Sequence, residues 1–309
     1  MFEIVKLTLS PIAKIFFMLL VGVIGAKVKI LDEDTTKKLT TVMMSLVSPF
    51  LLFNSFLIEY DTQRLKNLGI AMLLAIAVHA VTIAAACLIF RKKEDSPWDV
   101  KRVCSVISNC VVLGIPLIQT LLGSEAVLYL SAYIIASSTT NWTFGVMTFS
   151  GNTDLNGLKK ALTSPCMIAI YLGFIVYVCR IPVPEFVASP VSSIGSCTSA
   201  IGLFIAGSNA SRADFKSILK NKDTYLVILL RHLILPLITL AAFRLFGLTS
   251  LPAKTIFIAV CCPVGSTPSM FATMYGRDGK LAAGLFGLST ILCMVTLPVM
   301  MALMTTFLQ

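Results

Sequence analysis

From about residue 11 to residue 308 the chain is a succession of apolar runs near 20 residues long, separated by short intervals that hold most of its charge. A helix needs roughly 20 apolar residues to cross a hydrocarbon core of about 30 Å. In lipid every backbone amide and carbonyl must also be satisfied inside the fold. Those two requirements select an all-α integral membrane protein. Composition agrees: 57% of residues are hydrophobic, 13% are charged, and the mean hydropathy is +0.89, whereas a soluble domain carries roughly 25% charged residues.

The runs predict ten transmembrane helices, at 11–30, 37–58, 68–90, 102–122, 126–149, 161–180, 187–209, 223–246, 253–274 and 281–308. The first run lacks a small-residue cleavage site and is expected to stay as a span rather than leave as a signal. One set of alternate loops carries 17 Lys and Arg and the other side carries 7. Cytoplasmic loops concentrate basic residues, so both termini are expected outside a cell membrane. The formal charge of +10 therefore reads as orientation, and nucleic acid is not an expected partner. The nine Cys lie mostly within apolar segments, without a CxxC pair or a His at ligand spacing. They read as small apolar packers, and no metal or cofactor is expected.

Residues 1–150 and 151–309 repeat each other weakly. "SLVSPFLLF" (45–53) lies over "SCTSAIGLF" (196–204) at an offset of 151, and "HAVTIAAACLIFR" (79–91) over "HLILPLITLAAFR" (232–244) at 153, which superposes the only two His. Each half holds five spans, an odd number, so the halves are expected upside down relative to each other. Inverted repeats with broken helices near the bilayer midplane are a recurring plan of secondary transporters.

Two spans carry helix breakers in related places. The fourth, "ISNCVVLGIPLIQTLLG", holds Ser108, Asn109, Gly114, Pro116 and Gln119; the ninth, "AVCCPVGSTPSMFATMYG", holds Pro263, Val264, Gly265, Ser266, Thr267 and Pro268. A Pro inside a helix removes a hydrogen bond and crowds the carbonyl four residues back, and the freed groups need protein, water or a ligand. A single such Pro reads as a kink satisfied by neighbours. Two at repeat-related positions beside amides and hydroxyls read as a binding crossover, where half-helix N-termini offer positive poles to an anion.

The fifteen acidic residues fall in or next to loops, which argues against a cation as substrate. The spans keep His79, Arg231 and His232. Arg231 has two readings, anion attraction or state-dependent pairing against snorkelling to the interface. Each His is read either as packed with one hydrogen bond or as a proton relay. Ser48, Asn54 and Ser199 are candidates to face the substrate from the surrounding helices, or to bond helix to helix. The same choice holds for "SSTTNW" (137–142).

The stretches "SNCVVLGIPLIQTLLG", "CCPVGSTPSMFATMYG" and "LSTILCMVTLPVMMAL" resemble the auxin efflux carrier family, which includes plant PIN-type exporters and bacterial malonate or organic-acid permeases. The Asn-x4-Gly-x-Pro pattern of Asn109, Gly114 and Pro116 is the most specific part, supported by Pro263 and by Leu297-Pro298. The resemblance implies two inverted five-helix repeats with helices 4 and 9 crossed at their unwound centres, as in bile-acid symporters and sodium/proton antiporters. It also implies a scaffold from spans 1, 2, 6 and 7, a transport domain from spans 3–5 and 8–10, and an elevator-like step. Ser108 stands where plant members have Pro, and the central loop "SGNTDLNGLKK" is short, so auxin specificity is not implied.

The expected function is secondary transport of a small organic anion, a carboxylate by preference, with export favoured. The alternatives are a membrane-embedded ligand sensor of the same fold and a proton-coupled organic-acid importer. Expected partners are the anion and the lipid bilayer, with a homodimer as a further candidate. The chain has no GxSxG, no phosphate-binding loop and no intramembrane His/carboxylate set, so enzymatic activity is not expected.

Overall fold

The computed structural model describes residues 17–92, 96–151, 159, 162–212 and 222–308, which are all-helical with no strand among them. Residues 11–16 of the first expected span, Lys6, Lys14 and most of "SGNTDLNGLKK" lie outside the described residues. In chain order the helices are α1 (Phe17–Lys27), α2 (33–54), α3 (Thr62–Ile89), α4a (Trp98–Val106), α4b (Cys110–Leu122), α5 (124–150) and α6 (Pro165–Val178). Then come α7 (Glu185–Ser211), α8 (222–245), α9a (Leu251–Cys261), α9b (Thr267–Met274) and α10 (Gly279–Phe307).

By length and composition, α3, α7, α8 and α10 can each cross a membrane unaided. Their outward faces carry exposed Leu73, Ile76, Leu88, Leu226, Leu237, Val295 and Val299, an apolar surface larger than a soluble monomer tolerates. The interior is built around α5 and α9a, where Tyr129, Tyr133, Ile256, Phe257 and Ile258 are buried.

Several boundaries differ from the sequence expectation for local reasons. The second span was expected from 37, but α2 starts at Glu33 because the Asp32 carboxylate accepts the Thr35 N–H at 2.7 Å, an N-cap followed by acidic residues at the positive helix end. Of the four π-helical turns among the described residues, three, Met43–Val47, Cys110–Gly114 and Leu230–Ile234, each stand two residues ahead of a Pro: Pro49, Pro116 and Pro236. The Pro ring pushes away the carbonyl four residues back and supplies no N–H, so the helix widens by one residue instead of stopping. Gly114 and Pro116 were expected to weaken the fourth span. Its interruption instead falls at 107–109, ahead of both.

Glycines set how closely α7 packs. A Cβ on Gly207 would run into the Leu19 carbonyl of α1, and one on Gly22 into the Phe204 carbonyl of α7. On α2, the Leu51 Cα lies 2.8 Å from where a Gly195 Cβ would stand. Gly202 faces the Val112 carbonyl in the first turn of α4b, leaving no room for a methyl. α7 therefore packs directly on α1, α2 and the interrupted fourth helix.

Candidate functional site

Both interruptions begin the same way. α4a ends when Ile107 turns extended (φ −83°, ψ 120°), and α9a ends when Cys262 does (φ −61°, ψ 147°). At Cys262 the cause is Pro263, which disfavours helical geometry in the residue before it. No Pro follows Ile107, whose extended geometry is held from outside. The Asn109 N–H donates to the Pro263 carbonyl and the Gly265 N–H to the Ile107 carbonyl, each at 2.9 Å, making an antiparallel bridge between Ser108 and Val264. The two interrupted helices thus complete each other's backbone, as burial in lipid requires. The Val264 N–H, pointing away from the bridge, donates to Ser289 Oγ of α10 at 2.8 Å.

The remaining carbonyls are met by Arg231 of α8, which is 1% exposed. Its Nε and Nη2 donate to the Cys262 carbonyl at 3.1 and 3.0 Å, and Nη1 reaches the Ser105 and Val106 carbonyls at 3.4 Å each. These carbonyls close the C-terminal ends of α9a and α4a. A helix C-terminus carries about half a negative charge, so two of them roughly balance one guanidinium. The side chain is therefore buried as a counter-charge and does not snorkel to an interface.

The N-termini of α4b and α9b, whose first amides lack intrahelical acceptors, face a cavity of about 1260 Å³. Ser108, Asn109, Cys110, Gly265 and Ser266 line its inner end, all but Ser266 buried. Exposed Glu33, Lys37, Arg212, Asp278 and Lys280 line its mouth. Between them stand Thr36, Thr40, Thr41 and Met44 of α2, Ser137, Ser138, Asn141 and Trp142 of α5, and Ile205 and Asn209 of α7. Asn109 is 5% exposed and Asn141 7%, yet Asn109 Nδ2 and Asn141 Oδ1 have no hydrogen-bond partner. A buried polar atom left unmatched costs about 1–3 kcal/mol.

Of the residues singled out in the sequence, Ser108, Asn109, Gly265 and Ser266 line this cavity. Gly114 does not, but a Cβ there would come within 3.2 Å of Cys262 Sγ, so it permits the close approach of the two interruptions. Pro116 shapes the π turn, and Pro263 and Val264 supply the backbone bridge.

His79 and His232 stand behind the bridge instead of in the cavity. His79 Nδ1 donates to the Ala75 carbonyl at 2.7 Å, and its ring lies 4.7 Å from that of Tyr133, whose hydroxyl is 3.2 Å from Ser108 Oγ. His232 Nε2 is 2.6 Å from Ser289 Oγ and its Nδ1 3.0 Å from Thr296 Oγ1. Ser199 Oγ donates to Gln119 Oε1 of α4b at 2.8 Å, Ser48 is buried with an unpartnered hydroxyl, and Asn54 ends α2.

The sequence reading passed over Thr36, Thr40, Thr41, Asn209 and Ser269 and left 137–142 undecided. A signal was present. Residues 36, 37, 40, 41 and 44 of α2, and 137, 138, 141 and 142 of α5, repeat at the spacing of one helix face. In α2 that face begins inside "EDTTKKLTT", which its charge made look like a loop.

A comparison with curated proteins returns no match. The membrane transport protein family matches residues 7–156 and 155–301, nearly the whole chain. The chain therefore belongs to the membrane transport protein family of auxin efflux carriers and is a multi-pass membrane transporter.

Proposed function

We propose that the protein moves a small organic anion, a carboxylate by preference, by alternating access around the paired interruptions of α4 and α9. The observation that carries this reading is the inner end of the cavity. The buried Asn109 amide there has an unmatched Nδ2 donor, beside the N-termini of two half-helices. With Arg231 balancing the C-terminal ends, the two N-terminal poles remain, each worth about half a positive charge. Their sum suits one negative charge, and at the mouth Lys37, Arg212 and Lys280 outnumber Glu33 and Asp278 by one charge, a small net bias toward anions.

An inverted repeat finds support in matched wiring. His79 reaches Ser108 through Tyr133, and His232 reaches Val264 through Ser289. Val264 follows Ser108 by 156 positions, and Ser289 follows Tyr133 by the same 156. In this reading α1, α2, α6 and α7 form the scaffold and the other helices form the body that moves past it. The cavity between them is the inward-facing chamber, and both termini lie outside. An inside-negative potential then favours export by about 2.3 kcal/mol per charge per 100 mV.

Counterflow of labelled mono- and dicarboxylates in proteoliposomes tests the proposal, with Asn109→Ala as the binding-deficient control. Saturable counterflow of at least one carboxylate, lost in the control, is expected. No flux across a broad organic-acid panel, from protein that is folded by thermal melting, would overturn it.

A further inference from the structure

The half-helix C-termini of interrupted transporter helices are where coupling cations bind, because their last carbonyls have no partner in the helix. Here the carbonyls of Ser105, Val106 and Cys262, drawn from both interrupted helices, converge on a single buried guanidinium. We propose that Arg231 is a tethered cation filling this site, so that transport needs no sodium or other metal cation as a coupling ion. The proposal rests on the transport reading above and adds what drives it.

Charge and geometry agree on this. Two helix C-termini sum to about one negative charge, which the guanidinium cancels, so a second cation would enter with nothing to pay its desolvation. Among the described residues no carboxylate forms an ion pair with Arg231, and the carbonyls are its recorded acceptors. Guanidinium stays protonated throughout the physiological range and presents a planar fork of five donors. Three of its nitrogens are used here at once, on strands of backbone that belong to different halves of the chain.

The tether also fixes the cation's place. Arg231 lies in the π turn Leu230–Ile234 created ahead of Pro236. At the aligned position of the first half, 153 residues earlier, stands the apolar Val78. One half thus supplies the cation for both. A diffusible ion would leave and rebind in each cycle and so impose its gradient on the anion; a tethered one returns unchanged and imposes none.

The test combines melting with flux in the purified full-length protein. Replacing Na⁺ with K⁺ or choline should leave the wild-type melting temperature and carboxylate counterflow unchanged. Arg231→Ala should melt lower, and millimolar methylguanidinium should recover at least half of that loss while leaving the wild type unmoved. A wild-type melting temperature or flux that rises specifically with Na⁺ would overturn the proposal. So would an Arg231→Ala protein as stable as wild type and indifferent to methylguanidinium. If that variant does not fold, the wild-type ion replacement still decides. Arg231→Lys, which keeps the charge but has one nitrogen for three carbonyls, should fold with an intermediate melting temperature. Because melting reads the site without any substrate, methylguanidinium rescue with no carboxylate flux would sink the transport reading and leave the tethered cation standing.

Discussion

Asn109 Nδ2 is a buried donor that the protein's own side chains and backbone leave unmatched, so a role in binding can be told apart from a role in stability. Asn109→Ala removes no side-chain hydrogen bond and relieves the unmatched donor, so it should not lower the melting temperature. Carboxylate affinity of Asn109→Ala should fall about 10- to 100-fold, because the Nδ2 donor is lost and a hydrogen bond to a charged group is worth about 1.5–3 kcal/mol. Isothermal titration beside thermal melting checks the split, and a variant that loses stability and keeps affinity would contradict it. Ser289 should behave oppositely. Ser289→Ala strips a partner from the Val264 N–H and from His232, so it should lower stability by about 1–3 kcal/mol. A melting temperature equal to wild type would show that the bridge does not depend on α10.

Among the helices, α7 makes the closest approaches to its neighbours. It packs tightly on α1 and α2 through Gly207 and Gly195 and touches α4b through Gly202 and the Ser199–Gln119 hydrogen bond. A methyl at Gly202 meets the Val112 carbonyl, a backbone atom that cannot rotate away. Gly202→Ala should therefore cost about 1–3 kcal/mol and slow counterflow, while carboxylate affinity stays near wild type because Gly202 does not line the cavity. Equal losses of rate and affinity would place the effect in the binding site instead. The same helix shows how far sequence reaches. Its span was legible from hydropathy, and Ser199 was legible as a candidate from the repeat. That Ser199 meets Gln119 depends on how α7 and α4b lie together, and no local pattern encodes that distance.

For the molecule as a whole, the cavity and the basic residues make one prediction about sidedness. The mouth holds Lys37, Arg212 and Lys280, which belong to the more basic set of loops. In a background with the exposed Cys179 and Cys197 replaced by Ser, a membrane-impermeant thiol reagent should label Asn209→Cys from the cytoplasmic side. It should label Thr249→Cys from the outside alone. Carboxylate should slow labelling at position 209, as expected for a residue lining the chamber. Labelling with the reverse sidedness would invert the assigned topology, and indifference to carboxylate would separate this cavity from the transport path.

The sequence by itself determined that this is a helical membrane protein, where most apolar runs lie, and that the fourth and ninth apolar runs are interrupted near Asn109 and Pro263. Hydropathy, charge bias and the missing N–H of Pro are local properties, written residue by residue. Only the tertiary structure decided that the fourth helix opens at Ile107 instead of at Pro116, because the extended backbone there is paired with a segment about 155 residues away. It also decided which groups meet Arg231. An arginine in an apolar span announces that its charge must be met, but the partners are three backbone carbonyls at the ends of two other helices. Every residue has a carbonyl, so sequence cannot mark which ones are left unpaired until the chain has folded.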